Sequence, residues 1–408
     1  MIKLLHTADL HLDSPLRTLA LRNDDLRNSV ENATRMALVR IVDIALDEGV
    51  AAVLIAGDLY DGGQRSMKTA AFLTAQFRRL AEGGIRVFLI RGNHDAESRI
   101  TREIGWPDTV HVFDGRGGHR VLGETGIAIH GISFREPHCA ENLVGRFRPV
   151  PGMVNIAMLH TSLAGAQGHD VYAPCRLSDL ADAGFDYWAL GHVHSRTVHL
   201  EDPVVVMPGM PQGRDIGESG EKSVTLIEID DGRIAVRECP SAALIFRRVE
   251  CDVAGAGDIG DLYDLVRTAL HDLVSSTPQV VRLTLTGRTA LNWRLRRDLD
   301  VIAQTIAETA QPARIWIDQI VAATEPPTEE VGAGAAAELA ALIAEIAAQP
   351  GFKDEVQVAL AEVVHDLPQQ LRDVFGADSA AQADAVQALI GEATDGAIAR
   401  ILSVGSDG

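Results

Sequence analysis

Through the first 240 residues, short apolar runs alternate with amphipathic stretches. The runs are Ile2–Leu5, Ala51–Ile55, Arg86–Ile90, Gly126–Ile129, Val154–Leu159 and Tyr187–Leu190. Each is too short for a buried helix and ends in turn residues, so each predicts a strand. Between the first two, Leu26, Val30, Ala33, Ala37, Ile41 and Ile44 recur at helical spacing and predict a helix over Asp24–Glu48. Past His192 the runs Val204–Met207, Val224–Ile229 and Ile234–Arg237 follow one another across short turns such as Asp230-Asp231-Gly232, which reads as antiparallel strands. An α/β layered domain with mixed sheets is the fold class this order implies.

A smaller α+β unit is expected at 244–325: strand Ile245–Cys251, helix Ile259–Leu273, strand Val280–Leu285, helix Trp293–Glu308 and strand Arg314–Ile320. The stretch Glu325-Pro326-Pro327-Thr328-Glu329-Glu330 followed by Gly332-Ala333-Gly334 has the composition of a linker, set at 326–337. The segment 338–408 is Ala-rich, and Leu339, Leu342, Ile343 and Ile346 predict helix there. The domain division is therefore 1–240, 244–325, linker 326–337 and tail 338–408.

Charge adds an asymmetry to this picture. The net charge is −20 over 408 residues, yet residues 326–408 carry 14 acidic against 3 basic side chains. The tail is thus far denser in negative charge than the body, which suggests a separate job for it. The overall field repels nucleic acid, so any DNA contact must come from a local surface. No apolar run reaches the roughly 18 residues of a membrane helix, and His6, Asp9 and His11 break the N-terminal run where a signal peptide would need an apolar core. Cys139, Cys175, Cys239 and Cys251 form no CxxC pair and read as reduced thiols of a cytoplasmic protein.

Five apolar runs end in chemically active residues: Asp9-Leu10-His11, Gly57-Asp58-Leu59-Tyr60-Asp61, Gly92-Asn93-His94-Asp95, His160, and Gly191-His192-Val193-His194. In an extended chain, D-x-H and H-x-H put two side chains on one side. Strand ends on one edge of a sheet are where α/β folds build ligand sites. Carboxylates, an amide oxygen and imidazoles suit Mn²⁺, Fe²⁺ or Zn²⁺, and the lack of thiolates argues against a structural zinc. Such a set has room for two ions about 3.5–4 Å apart, clamping both reacting oxygens of a phosphoester.

These five blocks, in this order over residues 9–194, resemble the calcineurin-like metallophosphoesterases. The stretches HTADLHLDSPL, HDVYAPC, DYWALGHVHSR and PGMPQGR are similar to the DNA repair exonuclease branch, and within it to the YhaO-type relatives of SbcD, the nuclease subunit of SbcCD. The resemblance implies a four-layer αββα sandwich, with a small α+β capping domain and a helical C-terminal segment. It implies two divalent ions, Mn²⁺ first among them. By motif, Asp9, His11 and His194 hold one ion, Asn93, His160 and His192 hold the other, and Asp58 bridges both. His94 is then the catalytic, non-ligand residue that contacts the phosphate and assists the leaving group. Asp61 stands where many of the nucleases carry a second catalytic His. It serves either as an acid behind the ligands or as the N-cap of a helix over Gln64–Arg78.

Other residues have simpler readings. His6 and Asp95 are read as orienting or structural, and Asp13 as a turn or capping residue. His169, Asp170 and Tyr172 are read as an ordinary loop, with a place at the substrate rim as the alternative. Arg214 is read as half of a surface ion pair, with phosphate contact as the alternative. Arg282, Arg288, Arg294, Arg296 and Arg297 form either a DNA-facing patch or a solvated helix face paired with Asp298 and Asp300. The resemblance names DNA as substrate and an SbcC-like coiled-coil ATPase as partner, docked by the tail. The tail's other role would be pairing two copies of the chain. A small-molecule phosphodiesterase and a non-catalytic scaffold are the rival functions.

Overall fold

The computed structural model describes residues 1–14, 30, 32–60, 67–97, 105–163, 172–326, 335–367 and 379–404. The chain divides into two compact units, 1–247 with 276–280, and 248–275 with 281–408.

In the first unit, β1 (Ile2–Thr7), β2 (Ala52–Ala56), β3 (Arg86–Ile90) and β4 (Val110–Val112) pair in parallel, and β11 (Ser223–Asp230) and β12 (Arg233–Pro240) extend the sheet antiparallel beyond β1. The second sheet has the order β5-β6-β7-β8-β10-β9. It comprises β5 (Gly118–Val121), β6 (Ile127–Gly131), β7 (Val154–His160), β8 (Tyr187–Gly191), β9 (Thr197–Glu201) and β10 (Val204–Met207). Strands β6, β7, β8 and β10 are parallel.

Alternation along each strand explains the layering. Ala52, Leu54 and Ala56 of β2 join Ile156, Met158, Tyr187 and Ala189 in one core between the sheets. Val53 and Ile55 point the other way, into a core with Leu38, Ile41 and Val42 of α1 (Ala33–Asp47) and Leu73, Phe77 and Leu80 of α2 (Met67–Glu82). Beyond the second sheet, Ala157, Leu159, Trp188 and Leu190 pack with Phe147 and with Leu180 of α4 (Leu177–Ala181), the helix that follows α3 (Asn93–Glu97) in the chain. Strands buried on both faces read as continuous apolar runs rather than alternating ones, which is how these strands are written. His6 is an exception inside the core: one ring nitrogen lies 3.0 Å from the Tyr187 hydroxyl and the other 3.0 Å from the Leu190 carbonyl, stitching β1 to β8. Burial holds it neutral, its pKa pushed down to about 3.

The long helix expected over Asp24–Glu48 is present as α1, and its expected first residues lie outside the described ones, as do Asp61 and Gln64. The expected runs all appear as strands, while the short strands β4, β5 and β9 carry too few apolar residues to be legible.

The second unit contains most of a three-stranded sheet ordered β13 (Ile245–Asp252), β14 (Gln279–Arg288), β15 (Ile315–Glu325). Helix α5 (Ile259–His271) starts where the Asp258 side chain accepts from the Asp261 amide at 2.9 Å. The helix expected over Trp293–Glu308 is two, α6 (Asn292–Arg297) and α7 (Leu299–Ala310). They break at Asp298, whose backbone leaves the helical region (φ −113°, ψ 21°) while its carboxylate takes the Arg297 guanidinium at 2.8 Å twice. Leu262, Val266, Leu283, Leu295, Ile302 and Ile306 form this unit's core. The tail forms α8 (Ala335–Ala347), α9 (Pro350–Asp366) and α10 (Ser379–Val404), and α10 packs against α6. None of the helices among the described residues is long and apolar enough to cross a membrane.

Each of the five arginines named above sits beside a carboxylate. Arg282 pairs with Asp318, Arg288 with Glu325, Arg294 and Arg297 with Asp298, and Arg296 with Asp395 of α10. Asp300 instead accepts from the Val301 amide. The geometry therefore favours the paired helix face over a bare basic patch.

Candidate metal centre

All seven expected ligands and His94 lie in the first unit, at the C-terminal ends of β1, β2, β3, β7 and β8. The loops after β1 and β2 run side by side: the Asp9 amide donates to the Gly57 carbonyl, His11 to Asp58 and Leu12 to Leu59, each at 3.0 Å. Four of the residues adopt left-handed backbone: Asp9 (φ 52°), His11 (φ 41°), Asp58 (φ 51°) and His192 (φ 103°). This region costs energy for a residue with a Cβ, and such strain collects where a site over-determines the backbone.

Backbone amides aim both carboxylates. The His192 amide donates to Asp9 at 2.9 and 3.1 Å, and the His94 amide donates to Asp58 Oδ1 at 3.1 Å. Asp58 Oδ2 then faces His160 Nε2 at 3.3 Å and His11 Nε2 at 4.0 Å. His160 is oriented from behind, because its Nδ1 can only donate to the Ala56 carbonyl, 2.9 Å away. Its Nε2 therefore points at Asn93 Oδ1 (3.1 Å) as well as at Asp58. His11 and His194 bring their Nε2 atoms to 3.2 Å of one another.

The potential ligand atoms fall into three overlapping groups, each within 4.8 Å: Asp9, His11 and His194; Asp58, His160 and His192; and His11, Asp58 and His94. Asn93 joins the second through His160. The glycines beside them leave no spare room. A Cβ on Gly92 would lie 2.3 Å from Asp58 Oδ1 and 2.8 Å from the His160 ring, and one on Gly57 would lie 2.4 Å from His160 Nδ1.

Electrostatics shows what this cluster wants. Burial pushes Asp9 up to about 6, with Asp58 adding to the rise and the His160 and His194 imidazoles opposing it. Burial also pushes Asp58 up, but His160, His11 and His94 outweigh it and hold the carboxylate below its ordinary range. Burial lowers His160, yet Asp58 and Asp9 raise it to about 9. Two buried carboxylates, an amide oxygen and imidazole nitrogens converge on points that call for positive charge, as a proton or a cation. The donors therefore fit divalent ions of the Mn²⁺, Fe²⁺ or Zn²⁺ type. Asp9, His11 and His194 would hold one ion, Asn93, His160 and His192 the other, with Asp58 reaching both.

Four residues behind the ligands find their partners in three dimensions. Asp95, 1% exposed, accepts from the Leu59, Tyr60 and Gly92 amides at 3.0–3.2 Å and so ties the β2 loop to the β3 loop. Burial and the Asp58 charge push its pKa up to about 7. Asp13 sits in the turn expected of it, holds Arg35 through two 2.6 Å contacts and also takes the Thr69 hydroxyl, which makes it an anchor of the β1 loop as well. Arg214 pairs with Glu218 at 2.6 Å, and Glu218 Oε1 lies 2.9 Å from His194 Nδ1. Burial raises the Glu218 pKa, but hydrogen bonds from His194 and Arg214 more than reverse that. No motif pointed to Glu218. Tyr172 places its ring 5.2 Å from that of His192, at the rim, while His169 and Asp170 lie outside the described residues.

Asp95→Ala is expected to leave three buried amides without their acceptor. At roughly 1–3 kcal/mol for each unsatisfied group, the metal-free protein should lose about 3 kcal/mol or more, less if water enters. Asp95→Asn should lose less, because one acceptor oxygen remains. Thermal unfolding followed by circular dichroism checks this, and an unchanged midpoint for Asp95→Ala would refute it.

Two six-stranded sheets carrying an Asp/His/Asn cluster at their joined strand ends define a dimetal phosphoester hydrolase. The calcineurin-like phosphoesterase family pattern matches residues 2–196, and the pattern of the metallophosphoesterase YhaO middle domain matches 246–325. The chain belongs to the calcineurin-like metallophosphoesterases. It is 35% identical over 303 residues to the uncharacterized metallophosphoesterase YhaO of Bacillus subtilis, an alignment covering 71% of this chain and 73% of that one. The DNA double-strand break repair proteins Mre11 of Sulfurisphaera tokodaii and Aeropyrum pernix are more distant. They are 28% identical over 51% of this chain and 54% of the relative, and 26% identical over 68% and 69%.

Proposed function

We propose that this metallophosphoesterase is a DNA nuclease, an exonuclease or endonuclease of the SbcD kind that hydrolyses phosphodiester bonds in DNA repair or end processing. The observation that carries the reading is the overlap of three ligand groups through His11 and Asp58, an arrangement suited to hold both reacting oxygens of a phosphodiester. The similarity to Mre11 proteins of DNA double-strand break repair supports DNA as the substrate. When bound, the two ions, Mn²⁺ in this reading, supply Lewis-acid charge at the phosphoryl oxygens and lower the pKa of water. The chain's own part is orientation. Asp58 and Asp9 are aimed by amides, His160 by the Ala56 carbonyl, and the half-buried His94 stands beside Asp58 and His11 to meet the phosphate and the leaving oxygen.

The proposal divides the labour: catalysis in 1–240, DNA contact in 244–325, and docking of an SbcC-like coiled-coil ATPase by the acidic helices after the 326–337 linker. The four free thiols fit a reducing compartment, so the cytoplasm is part of the reading. A small-molecule phosphodiesterase is the second reading. It is favoured by the net charge of −20 and by the carboxylate partner at each of the five arginines of the second unit.

One experiment separates them. With Mn²⁺, the purified chain should degrade end-labelled double- or single-stranded DNA as well as bis-p-nitrophenyl phosphate. DNA cleavage should fall steeply with added salt, because phosphate contacts release counterions. Hydrolysis of the small ester alone would select the second reading.

A further inference from the structure

The loop between β10 and β11 builds a layer of charge behind one of the candidate ligands. His194 Nδ1 faces Glu218 Oε1 at 2.9 Å. A carboxylate only accepts, so at 2.9 Å Nδ1 donates to it in preference to accepting from Arg214 Nη2, 3.5 Å away, and in the neutral ring Nε2 then keeps its lone pair. That Nε2 is the atom 3.2 Å from His11 Nε2, in the group with Asp9. Glu218 is itself held. The Arg214 guanidinium donates to it through Nη2 at 2.6 Å and through Nε at 3.1 and 3.2 Å, and the Arg214 amide donates to Oε2 at 2.9 Å. The side chains of Glu218 and Arg214 are 16% and 22% exposed, so the pair is largely shielded from water.

The loop is braced on both sides. The Met210 amide donates to the His194 carbonyl at 3.2 Å, and the Glu218 amide to the Asp215 carbonyl at 3.1 Å. Gln212, 1% exposed, donates to the Leu244 carbonyl at 2.7 Å and accepts from the Ala243 amide at 2.7 Å. Gln212, Arg214 and Glu218 all lie beyond residue 196, where the match to the phosphoesterase family ends.

We propose that Glu218 is the positioning residue for the ion held by Asp9, His11 and His194, and that Arg214 locks it in place. Glu218 fixes the ring orientation and tautomer of His194, so that a bare Nε2 is presented to the ion without rearrangement. Arg214 offsets the added negative charge. This rests on the dimetal reading of the cluster. A carboxylate behind a ligating histidine is worth about 10–100-fold in metal affinity.

The test is calorimetric titration of the metal-free full-length chain with Mn²⁺. Wild type should take up two ions. Glu218→Ala should weaken one of the two binding steps by about 10–100-fold and leave the other unchanged. Glu218→Gln, which keeps an acceptor oxygen for Nδ1, should fall between. The thermal midpoint of metal-free Glu218→Ala should fall, because the shielded Arg214 guanidinium and amide lose their acceptor, while the loss of affinity stays confined to one step. Unchanged affinity at both steps would overturn the proposal. So would equal weakening of both steps, which would make Glu218 a loop brace. A wild-type chain that binds no Mn²⁺ would instead overturn the dimetal reading itself.

Discussion

Asp58→Asn is expected to preserve the fold, strip the centre of metal and lower phosphoester hydrolysis by about 10³-fold or more. The estimate takes the several kcal/mol of charge stabilisation that a metal centre supplies, at 1.36 kcal/mol per decade of rate. The fold should survive for two local reasons. Asn tolerates left-handed backbone such as the φ of 51° at this position. Its amide oxygen can also still accept the His94 amide, now 3.1 Å from Oδ1. What is lost is charge: Asp58 Oδ2 is the carboxylate oxygen between His160 and His11, at 3.3 and 4.0 Å. Metal content by elemental analysis, with turnover of bis-p-nitrophenyl phosphate, reads both effects. A variant with two ions per chain and wild-type turnover would remove Asp58 from the centre.

His94→Ala should separate binding from chemistry. Turnover is expected to fall by roughly 10²–10⁴-fold, the span of a positioned acid or base, while metal content stays near wild type. The main-chain amide of residue 94, which holds Asp58, survives the substitution, so the carboxylate keeps its aim. Only the imidazole is removed, a half-buried ring 4.9 Å from that of His11. Loss of metal along with activity would instead make His94 a ligand, which its proximity to His11 and Asp58 makes a meaningful alternative outcome.

Neither experiment would have been hard to design from the motifs alone, since every residue it alters was legible in the chain. Asp9, His11, Asp58, Asn93, His160, His192 and His194 follow runs whose period and length predict strands; His160 ends its strand, Asn93 opens α3, and the rest lie in the loops just after strand ends. Asp95 was legible as an orienting or structural residue of Gly92-Asn93-His94-Asp95, yet its partners were not. Its three amide partners lie on the loops after both β2 and β3, and no periodicity reports that crossing. The Trp293–Glu308 stretch shows the opposite failure: its apolar spacing continues through Asp298, while a local side-chain pairing accompanies a break in the backbone there.

The arginines of the second unit make the division sharper. Composition identifies a cluster, but whether it faces DNA or carboxylates depends on partners as remote as Asp395, 99 residues from Arg296. The same holds for Glu218, which reaches His194 because the loop after β10 folds back behind it. By itself, then, the chain's pattern determined the strands, the layered α/β class and the identity of the donor atoms, because these depend on side-chain period and on chemistry carried by single residues. Tertiary structure alone decided which nitrogen of each imidazole faces the centre, which carboxylates are aimed by amides, and which charges are already neutralised. Those properties are distances between residues far apart in sequence, and only the crossing of the chain sets them.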